Sequence, residues 1–212
     1  MTVAVLRGGC PVAGGIAYSP PVSTTDEDSG DTGDEALMLA YRDGDAAAFD
    51  RLYDRHRGGV YRYLLRQCRN AALADELFQD VWMNLIRARG GYTVQAKFTT
   101  WLYRIAHNRL IDHFRRHDGA AVSLDDDTLP ALDEPEAPRS VQPEAQAEAR
   151  EQAARLLVLL DELPQEQREA FVLQQEGGLS VEDIAEATGV NRETAKSRLR
   201  YAIARLRRGM DS

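Results

Sequence analysis

The sequence predicts an all-α fold: two small helical domains, an N-terminal helical bundle and a C-terminal domain, joined by a flexible acidic linker. Three observations predict it. Apolar residues recur at three- and four-residue intervals from Phe49 to Phe114 and again from Leu156 onward, the repeat of a single buried helix face. No stretch alternates apolar and polar residues long enough to make a strand. Two segments rich in acid, Pro and small polar residues carry no apolar period, and they divide the chain. The expected organisation is a disordered acidic extension over 1–36, a helical domain over 37–117, a linker over 118–147 and a second helical domain over 148–212.

Composition sets the outer limits. With 212 residues, 43% apolar and 28% charged, the chain reads as globular with flexible parts. No unbroken apolar run approaches the roughly 20 residues of a membrane span, so no membrane insertion is expected. The first 25 residues hold one Arg and no sustained apolar stretch, which does not fit a secretory signal. Cys10 and Cys68 alone cannot form a disulfide framework or supply four zinc thiolates, and a reducing cytoplasm fits best. The net charge of −8 hides a strong segregation. Residues 37–117 hold 14 basic and 8 acidic residues (+6), whereas 1–36 hold 1 and 6 (−5), 118–147 hold 1 and 8 (−7), and 148–212 hold 10 and 12 (−2). Two cationic surfaces, the second over 191–208, are therefore separated by acid.

The elements follow in order. Phe49, Leu52, Tyr53, His56, Val60 and Leu64 share one helix face, with a kink expected at Gly58-Gly59. A second helix follows Asn70, where Leu73, Leu77, Val81 and Leu85 form a stripe widened by Phe78 and Trp82; Gly90-Gly91 ends it. A third begins near Thr99 or Thr100 and buries Trp101, Leu102, Ile105, Ala106, Leu110 and Phe114, with Arg104, Asn108, Arg109, Asp112, Arg115 and Arg116 on the other face. Past the linker, whose Asp125-Asp126-Asp127 run and four prolines oppose ordering, Leu156, Leu160 and Leu163 mark a fourth helix. Pro164 suits the start of the next, which runs to Gly177-Gly178.

Ser180 and Asp183 then form a capping-box pair opening a short helix that stops at Gly189, and Asn191 caps a last helix running to about Arg208. Two helices joined by a short glycine turn, with small Ala185 at their crossing, make a helix-turn-helix. Its second helix presents Arg192, Thr194, Lys196, Ser197 and Arg200 early, where side chains reach base edges in the major groove. Arg205, Arg207 and Arg208 lie further along and suit phosphates. An isolated basic run would be a solvated face; one that follows a capped helix and a glycine turn points to DNA.

At this point the residues carry a resemblance. LDELPQEQREAFVLQQEGGLSVEDIAEATGVNRETAKSRLRYAIARLRR, residues 160–208, resembles the fourth region of bacterial sigma factors, which reads the minus-thirty-five promoter element. Independently, ALADELFQDVWMNL is similar to the clamp-binding helix of the second region, and FTTWLYRIAHNRLIDHFRR to its melting and minus-ten-reading helix. Two such regions in this order, with a linker and no third region, resemble the extracytoplasmic-function (ECF) group of the sigma-70 family of RNA polymerase sigma factors.

The resemblance implies roles. The polymerase core would be bound through its β′ clamp at Asp75, Gln79 and Asp80 and through its β flap at the second domain. The loop from Gly91 to Thr100 would take a flipped promoter base, with Tyr92 stacking on it, and Tyr103, Arg104, Asn108, Arg115 and Arg116 would meet the minus-ten strand as DNA melts. Arg192, Thr194, Lys196, Ser197 and Arg200 would read the minus-thirty-five duplex. The acidic linker would lie in polymerase channels built for nucleic acid. An anti-sigma factor is a further partner the family implies, though no residue identifies one. The partners are thus core polymerase, double-stranded promoter DNA and the melted non-template strand, with no cofactor and no metal.

Catalysis finds no motif. His113 and His117 stand four apart, but HFRRH lacks the carboxylate of a zinc-hydrolase helix, and two arginines between them disfavour a dication. There is no phosphate loop and no nucleophile elbow. Two rivals to a polymerase subunit remain at this level: a free-standing helix-turn-helix regulator, and a metal-dependent nucleic-acid enzyme built on the histidine-bearing helix. Trp101 and Cys68 read as core residues, and Cys10 has no assigned role.

Overall fold

The computed structural model describes residues 32–117 and 143–211; the acidic extension up to Asp31 and most of the linker lie outside the described residues. Among these the secondary structure is helical: α1 Asp34–Arg42, α2 Ala46–Cys68, α3 Ala71–Ala88, α4 Phe98–His117, α5 Pro143–Asp161, α6 Gln165–Gly177, α7 Val181–Thr188 and α8 Arg192–Met210, with one 3-10 turn at Arg89–Gly91.

The caps named from sequence form. Asn70 accepts from the Leu73 amide at 2.9 Å, and Asn191 from the Thr194 amide at 2.8 Å. At Ser180 the capping box closes in both directions: the Asp183 amide donates to Ser180 Oγ at 3.2 Å, and the Ser180 amide donates to Asp183 Oδ2 at 3.1 Å. Gly189 ends α7 at φ 69°, in the left-handed region where a Cβ is costly. α4 starts at Phe98 rather than Thr99, because the Glu35 carboxylate accepts the Phe98 amide at 2.8 Å.

Two expectations are corrected. Residues 34–36, assigned to the extension, belong to α1, because Glu35 caps α4 and Asp34 accepts from Arg55 at 2.8 Å and contacts His56 Nε2 at 2.7 Å. The end of the linker is helical: α5 reaches back to Pro143, a residue suited to a first helical turn and followed by the good helix formers Glu144, Ala145, Gln146 and Ala147. Through Gly58-Gly59, α2 continues as one helix.

Helices α1 to α4 pack around Leu37, Met38, Leu52, Val60, Leu64, Val81, Leu85, Phe98, Leu102 and Leu110, all fully buried. Helices α5 to α8 pack through Leu160, Leu163, Leu199, Ala202 and Leu206. These two sets also touch. α6 lies on α2, and α7 lies on α4, so the buried cluster continues from Tyr63 and Tyr103 into Val172, Leu173 and Leu179. The rings of Tyr63 and Tyr103 meet edge to face at 5.6 Å.

This junction also buries polar groups. Arg66, Gln67, Arg168 and Glu169 are each less than a tenth exposed. Both polar atoms of the Gln67 amide and the Nε of Arg168 have no hydrogen-bond partner, at about 1–3 kcal/mol for each unsatisfied group. Cys68 behaves as a small core residue. Its thiol donates to the Leu64 carbonyl at 2.9 Å, and burial pushes its pKa up to about 11, which keeps it an unreactive thiol.

Candidate nucleic-acid interface

The helix-turn-helix is built by α7 and α8. Val190 passes its amide back to the Ala185 carbonyl at 3.1 Å, tightening the turn that Gly189 permits, while Ile184, Ala185, Ala187, Ala195 and Leu199 form the apolar contact between the helices. That contact turns the opposite face of α8 outward. Arg192, Lys196 and Arg200 are exposed at four-residue spacing, with Thr194 and Ser197 half-buried beside them. Arg192 is paired with Glu182 of α7 and lies 3.4 Å from Glu193. The Arg200 guanidinium sits 5.0 Å from the ring centre of Tyr201, which holds it along the helix. Lys196 lies at the middle of this stripe, and Arg205, Arg207 and Arg208 extend the cationic face.

In the first module, α4 carries the second candidate surface. Arg104 and Asn108 are exposed, as are Arg115 and Arg116 at its end. Asn108 lines a shallow groove between α3 and α4 with Asn84, Arg87, Trp101, Ile105, Arg109 and Asp112, a wall of amides, guanidinium groups and one indole suited to bases and phosphates. Trp101 is only half-buried: one side of the ring packs on Tyr92 at 5.0 Å, and the indole also lines the groove.

Two residues assigned to the minus-ten strand are placed otherwise. Tyr103 is 1% exposed and Tyr92 3%, so neither ring can meet a base in this arrangement. Tyr103 is held between Tyr63 and the close approach of Gly177. Tyr92 is held between Phe98, at 6.4 Å, and Trp101. Burial, together with the carboxylates of Glu35 and Asp34, pushes the Tyr92 hydroxyl up to about 12. Beside it the loop before α4 encloses a small pocket lined by Gly91, Thr93, Gln95, Trp101, Arg104 and Glu186. The pocket lies within the segment expected to take a base, but Glu186, one wall of it, comes from α7.

On α3, Asp75 and Gln79 are exposed and Asp80 is half-buried. All three keep the outward face expected of them. Asp80, however, accepts from the Arg109 guanidinium of α4, so this face is tied directly to α4. Local spacing carries no sign of that pair, because the two residues are 29 positions apart.

Sequence reasoning also missed a row of residues joining the modules: Lys97, Thr100, His107, Glu169, Glu176 and Glu186. Asp183, read only as a cap, also accepts from Lys97 Nζ at 2.9 Å and Thr100 Oγ1 at 3.0 Å. Burial alone would raise its pKa, but the hydrogen bonds from Ser180 and Lys97 outweigh that and hold it at about 2. Glu169 receives the Tyr63 hydroxyl at 2.7 Å and lies 2.7 Å from His107 Nδ1. Burial first, and then this carboxylate, hold the Tyr63 phenol well above its ordinary range. A charged residue on the inward face of α6 was the only available signal for Glu169.

Helices with an outward basic face on a helix-turn-helix, and a second cationic surface on α4, define a protein with two candidate nucleic-acid surfaces. The family Sigma-70 region 2 matches residues 52–119, and Sigma-70, region 4 matches residues 153–206. The RNA polymerase sigma factor CarQ of Myxococcus xanthus is 35% identical over 172 residues, covering 80% of this chain and 93% of its own. The ECF RNA polymerase sigma factor SigM of Mycobacterium tuberculosis is 33% identical over 175 residues, covering 82% and 83%. The fold is shared with CnrH, solved in complex with the cytosolic domain of CnrY, at a TM-score of 0.59 and 22% identity over 84% of this chain and 97% of that one. The chain belongs to the ECF group of the sigma-70 family. It is a non-catalytic specificity subunit that works with core RNA polymerase and promoter DNA to direct promoter-specific initiation. Among the described residues no helix is long and apolar enough to cross a membrane.

Proposed function

We propose that the two modules divide promoter recognition between them, with the α7–α8 pair reading the minus-thirty-five element and the α4 surface holding the melted minus-ten strand. The observation that carries this is the outward stripe Arg192, Lys196 and Arg200 on a helix whose start is capped by Asn191. Thr194 and Ser197 flank it with short hydroxyls able to donate or accept. Arg104, Asn108, Arg115 and Arg116 supply the minus-ten contacts, and the pocket beside Tyr92 and Trp101 receives the extruded base, whose unstacking costs a few kcal/mol. Asp75, Gln79 and Asp80 dock on the β′ clamp, and the second module on the β flap. The modules act in the cytoplasm, joined through the 118–147 segment. An anti-sigma partner is supported by the crystallised neighbour RpoE from Bartonella quintana, which was solved with the anti-sigma factor NepR.

In vitro transcription with core polymerase and a pool of genomic fragments tests the reading. The full chain is expected to confer selective start sites without any nucleotide hydrolysis of its own. Lys196→Ala should weaken selection at those promoters by about 5- to 100-fold, the scale of one lost base contact, and leave core affinity within twofold. Conversely, the pair Gln79→Ala and Asp80→Ala should reduce core affinity, measured by fluorescence titration. Equal loss of both properties in the Lys196 variant would count against the division of labour.

A further inference from the structure

We propose that α1 braces the base-taking loop, and that Glu35 and Arg42 are positioning residues that set how selectively the minus-ten base is bound. Both lie upstream of the matched segment 52–119. The inference rests on the reading of the Gly91–Thr100 loop given above and adds the residues that give that loop its shape.

Helix α1 holds the loop at both ends. At the far end Glu35 Oε1 accepts the Phe98 amide at 2.8 Å. At the near end the Arg42 guanidinium donates to the Tyr92 carbonyl at 3.3 Å, while Asp43, 2.8 Å from Arg42 Nε, steadies it. Just before the loop, the Arg89 guanidinium donates to the Tyr41 hydroxyl at 3.3 Å and lies 5.2 Å from the centre of that ring. Between the two held positions run Thr93 to Lys97, where the Gln95 amide donates to the Thr93 carbonyl at 2.9 Å. Thr93, Gln95 and Ala96 from this stretch line the pocket. The loop wall of the pocket is therefore suspended from a single helix.

The sequence explains why the support comes from a distance. A helix start leaves free amides that the preceding residue usually satisfies with a side-chain oxygen. Before α4 that residue is Lys97, which carries donors and no acceptor and turns its ammonium to Asp183. The Glu35 carboxylate fills the role, and its charge suits the positive end of α4. The brace is itself anchored, because Asp34 accepts from Arg55 at 2.8 Å and contacts His56 Nε2 at 2.7 Å, fixing the start of α1 on α2.

A loop fixed at both ends before a base arrives loses less freedom on capturing it. Loosening the brace leaves Arg115 and Arg116, at the opposite end of α4, in place for phosphates. What relaxes is the fit around the base, and base contacts rather than phosphate contacts carry sequence information. Glu35 and Arg42 thus act on selectivity without touching DNA.

The test uses core polymerase reconstituted with the full chain. The probe is a single-stranded oligonucleotide carrying the minus-ten sequence of a promoter recovered from the genomic pool, either intact or with an abasic site at each position in turn. In the parent, one abasic position is expected to lower affinity by about 5- to 150-fold, the scale of one stacked base. Glu35→Ala and Arg42→Ala should each reduce that ratio by about 2- to 10-fold, the scale of one hydrogen bond, and leave affinity for a minus-thirty-five duplex unchanged. Glu35→Gln keeps an oxygen for the Phe98 amide and should restore most of the ratio. Amide exchange over residues 93–98 should rise in Glu35→Ala and return to the parent rate in Glu35→Gln, a readout that needs no DNA. Arg42→Ala removes a guanidinium that is one-third exposed, so it carries the test even if Glu35→Ala folds poorly. If Arg42→Ala, and Glu35→Ala where it folds, keep the parent's ratio and exchange pattern, the brace is overturned while the base-taking loop stands. A parent that ignores every abasic site removes the base-taking reading itself, and the inference with it.

Discussion

Phe98→Ala is expected to lower stability by about 3–5 kcal/mol, the range for deleting a fully buried aromatic ring. For a folded unit of this size that is a fall in Tm of about 6–20 °C, measurable by calorimetry. Phe98 is 0% exposed and forms the floor of an aromatic group, with ring centres 5.3 Å from His56, 6.1 Å from Trp101 and 6.4 Å from Tyr92. Its backbone amide would still reach Glu35, so the α4 start survives and the loss is one of packing. The effect should therefore concentrate on the Gly91–Thr100 loop. Amide exchange there should rise more than in α8, and minus-ten binding should fall further than minus-thirty-five binding. Val94→Ala is the control: Val94 is 55% exposed, and its truncation should stay within about 0.5 kcal/mol. Uniform exchange across both modules in Phe98→Ala would refute the local assignment.

This variant also marks what the sequence could reveal. The period that places Trp101, Leu102, Ile105 and Leu110 on one face of α4 is a property of local spacing, as are the Ser180, Asn70 and Asn191 caps and the Gly189 turn. All are visible because the interacting residues lie within a few positions of one another. The outward stripe on α8 follows from the same arithmetic. Tyr92 and Tyr103 were misjudged for the opposite reason. Each is amphipathic, and a phenol reads equally well as a base-stacking surface or as a core ring with a polar tip. Which one applies depends on Phe98, Tyr63 and Gly177, none of them set by local period. The row joining the modules was illegible for a further reason. Lys97–Asp183 and Arg104–Glu186 join residues more than 80 positions apart, and each member alone reads as an ordinary surface charge. Asp80–Arg109 hid in the same way.

The neighbouring glycines of α2 are expected to respond with opposite signs. In a helix interior glycine costs about 1 kcal/mol relative to alanine, so two in succession within a 23-residue helix call for a reason, and only one has it. A Cβ at Gly58 would meet the end of the flexible Arg62 side chain at 3.1 Å, which can swing away. Gly58→Ala should therefore stabilise the chain by about 0.5–1 kcal/mol. A Cβ at Gly59 would lie 2.9 Å from the Glu176 carbonyl oxygen and 2.8 Å from the Tyr103 hydroxyl. The first is backbone and the second belongs to a buried ring, so neither yields without moving α6. Gly59→Leu should destabilise the junction by about 1–3 kcal/mol through overpacking, even as it strengthens α2 itself. Circular dichroism should then show unchanged helix content, while energy transfer falls between dyes at Met83→Cys and Tyr201→Cys, two exposed positions on opposite modules, in a chain with Cys10→Ser. Because the clash is steric, this opening should persist at every ionic strength. If Gly59→Leu loses helix content in proportion to its lost transfer, the glycine serves the folding of α2 and not the approach of the two modules.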